Sequence, residues 1–155
     1  ILFGNEKLRI IALDQVTDSR NVGAIIRSSK AFGCDAIIMT KHNAPNENGS
    51  LARAAAGALE DVPIIKVTNL NRAIETLKSN SVCCIGLDAS GEDKLDSFRY
   101  EHRLALIMGS ESTGMRRLTK QACDNIVTIP TRNQTESLNV SVASAIALYA
   151  TQLQD

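Results

Sequence analysis

Six short apolar runs that do not alternate with polar residues set the main limit on how this chain can fold. Residues 9–16 read RIIALDQV, and runs at 35–40 (DAIIMT), 62–67 (VPIIKV), 82–87 (VCCIGL), 104–108 (LALIM) and 126–129 (IVTI) follow. A strand wetted on one face alternates apolar and polar positions. A strand covered on both faces, as in a parallel sheet packed between helices, can be apolar throughout. Helical patterns fill the gaps. Residues 21–32 place Val22, Ile25, Ile26, Ser29 and Phe32 on one stripe, with Gly33 as a stop, and residues 69–79 do the same with Leu70, Ala73, Ile74 and Leu77. Shorter helices are predicted from Ser50 to Ala58 and over 116–123. The expected fold is therefore α/β, a mostly parallel six-stranded sheet flanked by helices. Pro63 places the third strand near an edge, and the charged stretch 88–103 reads as a surface excursion.

The C-terminal stretch 126–148 turns from strand to polar loop to helix, a junction that puts unpartnered first-turn N–H groups beside a ligand. Ser137 is the predicted N-cap and Asn139 falls in the first turn. The helix is apolar on nearly every side, so its own sheet and a second subunit are expected to cover it.

With 155 residues and 44% hydrophobic content the chain can bury one core, and one domain over 1–155 is the natural count. No apolar run approaches the roughly 18 residues of a membrane span, and a cytoplasmic setting without membrane attachment is expected. Four scattered cysteines, two of them the adjacent Cys83 and Cys84, show no metal-ligand spacing, so no metal is expected. Seventeen basic residues balance seventeen acidic ones, so an RNA contact requires a local patch. Aromatic content of 3% leaves little for a base-stacking platform.

Residues 109–114 (GSESTG) have the outline of a phosphate loop, but Met115 and Arg116 stand where a Walker sequence needs Lys and then Ser or Thr. The dinucleotide fingerprint is missing after the first strand, and the serine-hydrolase spacing is not met. His42 and His102 have no evident partners. A glycine-bracketed loop containing Glu111 remains, able to fold against a small ligand. Asp14 ends the first strand, and residues 17–21 after it are either a second site loop or a plain connection.

Residues 18–28 (DSRNVGAIIRS), 106–115 (LIMGSESTGM) and 129–143 (IPTRNQTESLNVSVA) resemble, in order and spacing, the three motifs of the SpoU branch of the SPOUT RNA methyltransferases. The similarity covers almost the whole chain. Residues 54–70 and 114–119 are also like segments of the bacterial rRNA guanosine-2′-O-methyltransferases in that branch. The resemblance implies a sheet whose C-terminal part forms a deep trefoil knot, a homodimer, and S-adenosylmethionine bound in the knot. The implied cofactor residues are Gly109, Ser110, Glu111, Ile129, Pro130, Thr131, Ser137, Leu138 and Asn139, with Leu138 packing near the adenine. Relatives often carry an N-terminal RNA-binding domain, and none is visible in this sequence. The sequence departs from the family pattern at Ser112, Thr131 and Asn133, where glycine, methionine and glycine are common.

The implied reaction is methyl transfer to a ribose 2′-hydroxyl of RNA, ribosomal in preference to transfer RNA. The residue matching Arg27 is the family's proposed activator of that hydroxyl. Arginine, with a pKa above about 12, is a poor general base. Stabilising the emerging alkoxide and holding the neighbouring phosphate suits it better. Asn21, Glu111, Ser137 and Asn139 match the other polar signature positions. Each also has a plain structural reading: Asn21 as a helix cap, Glu111 as an acceptor for loop N–H groups, Ser137 and Asn139 as helix-start residues, and Arg27 as a solvated side chain. Arg20, Arg27, Arg53, Arg116, Arg117 and Arg132 are the candidate RNA patch, although Arg116, Arg117 and Lys120 also fit the solvated face of a short helix. A non-catalytic RNA-binding or assembly module on the same scaffold is the rival reading.

Overall fold

The computed structural model describes residues 2–42, 44, 49, 51, 53, 57–110, 113–133 and 137–154, the side chain of Leu59 apart. The expected helix from Ser50 to Ala58 lies largely outside these residues, and Ala58–Glu60 form a single 3-10 turn.

Among the described residues seven strands form one sheet: β1 (Leu8–Asp14), β2 (Ala36–Thr40), β3 (Ile64–Val67), β4 (Cys83–Leu87), β5 (Asp93–Lys94), β6 (Arg103–Gly109) and β7 (Asn125–Thr128). Their order is β3-β2-β1-β6-β4-β7-β5, and every pairing is parallel. Four α-helices lie wholly within the described residues: α1 (Ser19–Ala31), α2 (Leu70–Ser79), α3 (Arg117–Ala122) and α4 (Val140–Gln152).

The runs that form β1, β2, β4 and β6 are buried on both faces, as their lack of alternation requires, while β3 and β7 are partly exposed. Ile11 and Leu13 of β1 join Val22, Ile25 and Ile26 of α1 and Ala147 and Leu148 of α4 in one core layer. Leu8, Ile10 and Ala12 join Leu70, Ile74 and Leu77 of α2 in the other. Fully burying one such side chain stabilises by about 1.5–3 kcal/mol, so each helix stripe is a major holding force. Arg9, 8% exposed, reaches the α4 side of the sheet, where its guanidinium donates to the hydroxyl and, at 3.2 Å, to the carbonyl of Thr151.

Two expectations change. The stretch 88–103 is not merely a surface excursion: it carries the seventh strand, and it fastens the C-terminal half. The Leu95 N–H donates to the Thr128 carbonyl at 2.8 Å, the Leu95 side chain is buried, and the Gln154 amide accepts from Tyr100 N–H and donates to the Phe98 carbonyl. The last helix begins at Val140 with Asn139, not Ser137, as its N-cap. Its own chain does not cover it all round. Val142, Ile146, Tyr149 and Leu153 are 47%, 37%, 52% and 66% exposed, a stripe at helical spacing.

Among the described residues no helix is long and apolar enough to cross a membrane, and no group of three or more His, Cys, Asp or Glu side chains is placed to hold a metal ion.

Candidate active site

Three connections meet where β4, β6 and β7 end. The first leaves β6 at Gly109 and folds straight back: the Gly114 N–H donates to the Ser110 carbonyl at 2.8 Å, and the Ser110 and Thr113 hydroxyls lie 2.7 Å apart. A Cβ on Gly109 would sit 2.2 Å from the Met115 nitrogen, and Gly114 has φ +66°, so both brackets of the loop require glycine. Glu111 and the departure at Ser112 lie outside the described residues.

The far end of this loop is fastened to β1. Asp14, with no solvent exposure, accepts from the Arg116 backbone N–H at 2.8 Å, from Nε at 2.9 Å and from Nη2 at 2.7 Å. Arg116, grouped by sequence with the RNA contacts or with a solvated helix face, thus directs its guanidinium inward. Arg20, Arg27, Arg53, Arg117 and Arg132 are exposed.

The third connection reaches α4 through Asn139. Its side-chain oxygen accepts from the Ser141 N–H at 2.8 Å and the Val142 N–H at 3.3 Å, which satisfies the helix start, while its Nδ2 donates to Asn21 Oδ1 at 3.1 Å. Asn21 is free for this contact because Asp18, not Asn21, caps α1, accepting from Arg20 and Asn21 N–H groups at 2.8 and 3.1 Å. The first and third motifs are joined by this amide pair.

Between the connections opens a cavity of about 840 Å³, within the range of sites for ligands of cofactor size. Gly109 and Ser110 line it from the first loop, Ile129, Pro130 and Thr131 from the stretch after β7, and Ser137 and Leu138 from the approach to α4. Asn139 stands behind this wall rather than in it, and Arg27 does not line the cavity of its own chain. The floor is apolar, formed by Leu87, Met108, Val140 and Ala143.

A charged pair that sequence reasoning passed over also lines the cavity. Asp88 directly follows the last residue of β4, and Lys120 of α3 lies 3.0 Å from it. Burial opposes ionisation of Asp88, but hydrogen bonds from Ser90 and Lys120, with the Lys120 charge, outweigh it and hold the carboxyl below the usual carboxylate range. The available signal was its position at a strand's C-terminal end. Its place at the head of a charged stretch concealed this. The four cysteines take no part: all are free thiols, and burial pushes Cys34 and Cys83 up to about 11 and Cys84 and Cys123 to about 12.

Apolar Leu87, Met108, Val140 and Ala143, the polar residues Ser110, Thr113, Thr131 and Ser137, and a glycine where a Cβ cannot fit give the cavity both apolar and polar walls for a small ligand. Known proteins show the same arrangement of chain. The sequence model of the SpoU rRNA Methylase family matches residues 8–149. Over 140 residues the chain is 41% identical to the 23S rRNA (guanosine-2′-O-)-methyltransferase RlmB of Escherichia coli (strain K12), covering 90% of this chain and 58% of that protein. It is 43% identical over 140 residues to the RlmB of Ralstonia nicotianae, covering 90% of this chain and 56% of that one. The chain therefore spans about three-fifths of the length of these curated relatives. Among solved structures, the SpoU methyltransferase AviRb from Streptomyces viridochromogenes superposes with TM-score 0.90 at 25% identity, covering 97% of this chain and 60% of that one. AviRb in complex with the cofactor AdoMet superposes with TM-score 0.88 at 25% identity, covering 97% and 58%. With the match running from the first residue of β1 into α4, the chain belongs to the SpoU rRNA methylase family.

Proposed function

We propose that this chain is the catalytic unit of an RNA 2′-O-methyltransferase that uses S-adenosylmethionine and acts on a guanosine of ribosomal RNA. The observation that carries the reading is the convergence of separated segments on one cavity, whose apolar floor, polar rim and Gly109 bracket suit an adenosine moiety. Gly109, Ser110, Ile129, Pro130, Thr131, Ser137 and Leu138 would hold the cofactor, with Glu111 in the same loop, and Asn139 would keep the α4 end of the wall in place. When bound, the cofactor supplies an electrophilic methyl group.

The chain's own task is to position and activate a ribose hydroxyl, a weak nucleophile until its developing charge is stabilised. Arg27 suits this role: a permanent cation on the exposed side of α1 that can hold a phosphate and stabilise the emerging alkoxide. It does not line the cavity of its own chain, so the reading requires a second protomer to bring it there. The exposed apolar stripe of α4 supports a homodimer, because a surface of that kind is stabilised by burial against another apolar face. Asn21 orients the start of α4 through Asn139.

The knot belongs to the same reading. It is supported by β6 lying between β1 and β4, by the return of the chain from β7 to pack α4 beside α1, and by the attachment of stretch 88–103 to both β7 and Gln154. A cytoplasmic setting is supported by four free thiols.

Calorimetric titration with S-adenosylmethionine, followed by methyl transfer to ribosomal and transfer RNA by the chain and its Arg27→Ala variant, tests the proposal. Saturable cofactor binding and a loss of about 10²–10³ in transfer rate, the usual effect of removing one transition-state donor, are expected. Failure to bind the cofactor at millimolar concentration would leave the non-catalytic module as the better reading. Full transfer by the Arg27 variant would refute its role.

A further inference from the structure

We propose a second anionic-ligand site on this chain, a phosphate-docking groove for the RNA backbone at the C-terminal ends of β2 and β3. A groove of about 360 Å³ there is lined by Lys41, Lys66 and Arg72, with Thr68, Asn69 and Thr76 contributing polar atoms. The fold itself gathers the three cations. Lys66 pairs with Met39 across β3 and β2, Lys41 follows the end of β2 with its N–H donating to the Val67 carbonyl at 2.9 Å, and Arg72 lies in the first turn of α2 behind the Asn69 cap.

Convergence distinguishes this cluster from the rest of the surface. The chain carries as many acidic as basic residues, and Lys30, Lys78, Arg116 and Lys120 each have a carboxylate within 4.0 Å. Among the described residues Lys41, Lys66 and Arg72 have no such partner, and no acidic side chain lines the groove. Among the same residues Arg20, Arg27, Arg117 and Arg132 also have no carboxylate within 4.0 Å, but Lys41, Lys66 and Arg72 line one concavity together. A lysine on an edge strand can serve only to discourage strand pairing. That accounts for Lys66 on the edge strand β3, but not for Lys41 beyond β2 or Arg72 on a helix. Three unpaired cations around a concavity with hydroxyl and amide donors form a chemical complement to phosphate oxygens.

Position identifies the ligand. The groove opens at the C-terminal ends of the strands, as the candidate active site does. From β3 to β6 there are three strand spacings, about 14 Å in all, a span of a few nucleotides. Arg20, exposed in the first turn of α1, follows β1 between the two. RNA delivering a hydroxyl to the cavity can run across Arg20 into the groove. This inference rests on the RNA reading above.

The test is the salt dependence of binding of a short fluorescein-labelled single-stranded RNA to the chain and to the triple variant Lys41→Gln, Lys66→Gln, Arg72→Gln. Thermal melting and S-adenosylmethionine titration of both proteins serve as controls. Loss of three phosphate contacts lowers the slope of log K against log salt by about 2, at about 0.7 per contact to a single strand. Melting and cofactor affinity should stay unchanged. An unaltered slope with wild-type RNA affinity overturns the groove and leaves the RNA reading intact. Failure of the wild-type chain to bind RNA at any salt overturns both. Titration with inorganic phosphate separates the other source of such anions: saturation abolished in the variant, together with an unchanged RNA slope, would make the groove a site for a free phosphorylated molecule and refute RNA docking.

Discussion

Replacing Arg116 by alanine removes two of the three hydrogen bonds to a carboxylate that has no contact with solvent. The backbone N–H of residue 116 still reaches Asp14, but the charge has lost its counter-ion. Stranding one member of a buried pair costs about 3–5 kcal/mol. The Arg116 side chain is 45% exposed, so water enters on its side and the cost falls below that range, to about 2–3 kcal/mol. In urea unfolding, where a domain of this kind loses about 1–3 kcal/mol per molar denaturant, the midpoint should fall by about 1 M or more. Arg116→Lys should recover only part of this, because a point charge cannot reproduce donation from Nε and Nη2 together. The double variant Asp14→Asn, Arg116→Ala should be more stable than Arg116→Ala, since no buried charge is left unpaired. The same bonds anchor the loop that begins at Gly109, so S-adenosylmethionine affinity should fall in Arg116→Ala at temperatures where it is fully folded. A midpoint unchanged from wild type, or a double variant as unstable as the single one, would refute the assignment of this pair as the loop's anchor.

Gly109→Ala places a methyl group 2.2 Å from the Met115 nitrogen, so the backbone must move, and calorimetry should show S-adenosylmethionine affinity at least about tenfold weaker. Asp88 is held below its ordinary pKa when folded, so its contribution to stability is complete above the unfolded value of about 3.9 and is lost as pH falls through the lower folded value. Melting curves between pH 6 and about 3 should therefore fall more steeply for wild type than for Asp88→Asn, and parallel curves would contradict the Asp88–Lys120 pairing. The cysteine thiols, pushed up to about 11 or 12, should alkylate with iodoacetamide near pH 8 about 100-fold or more slowly in the native than in the urea-unfolded chain, measured by mass.

The secondary structure was legible because its signals are local. The unbroken apolar character of residues 9–14 required two covered faces, and the stripe of Val22, Ile25, Ile26 and Ser29 required a helix lying on them. Both patterns persist in the fold because each residue's burial depends on the strand or helix period of its immediate neighbours. The three motif segments were legible too, through their resemblance to a family, but not the contacts that make them one site. Asp14 meets Arg116 across 102 positions and Asn21 meets Asn139 across 118. No periodicity connects residues so far apart, and their meeting depends on β6 entering between β1 and β4. The same holds for Asp88 and Lys120, which read separately as surface charges, and for the three cations at the ends of β2 and β3. The displaced start of α4 also has a tertiary cause. Ser137 and Asn139 are both good caps, and Asn139 also has Asn21 within reach, a partner that only the packing of α4 beside α1 supplies. Sequence alone determined which segments become strands and helices, since that depends on neighbours a few residues away. Tertiary structure decided which side chains face one another, since the order of strands in the sheet sets the distances across which charge and hydrogen bonding act.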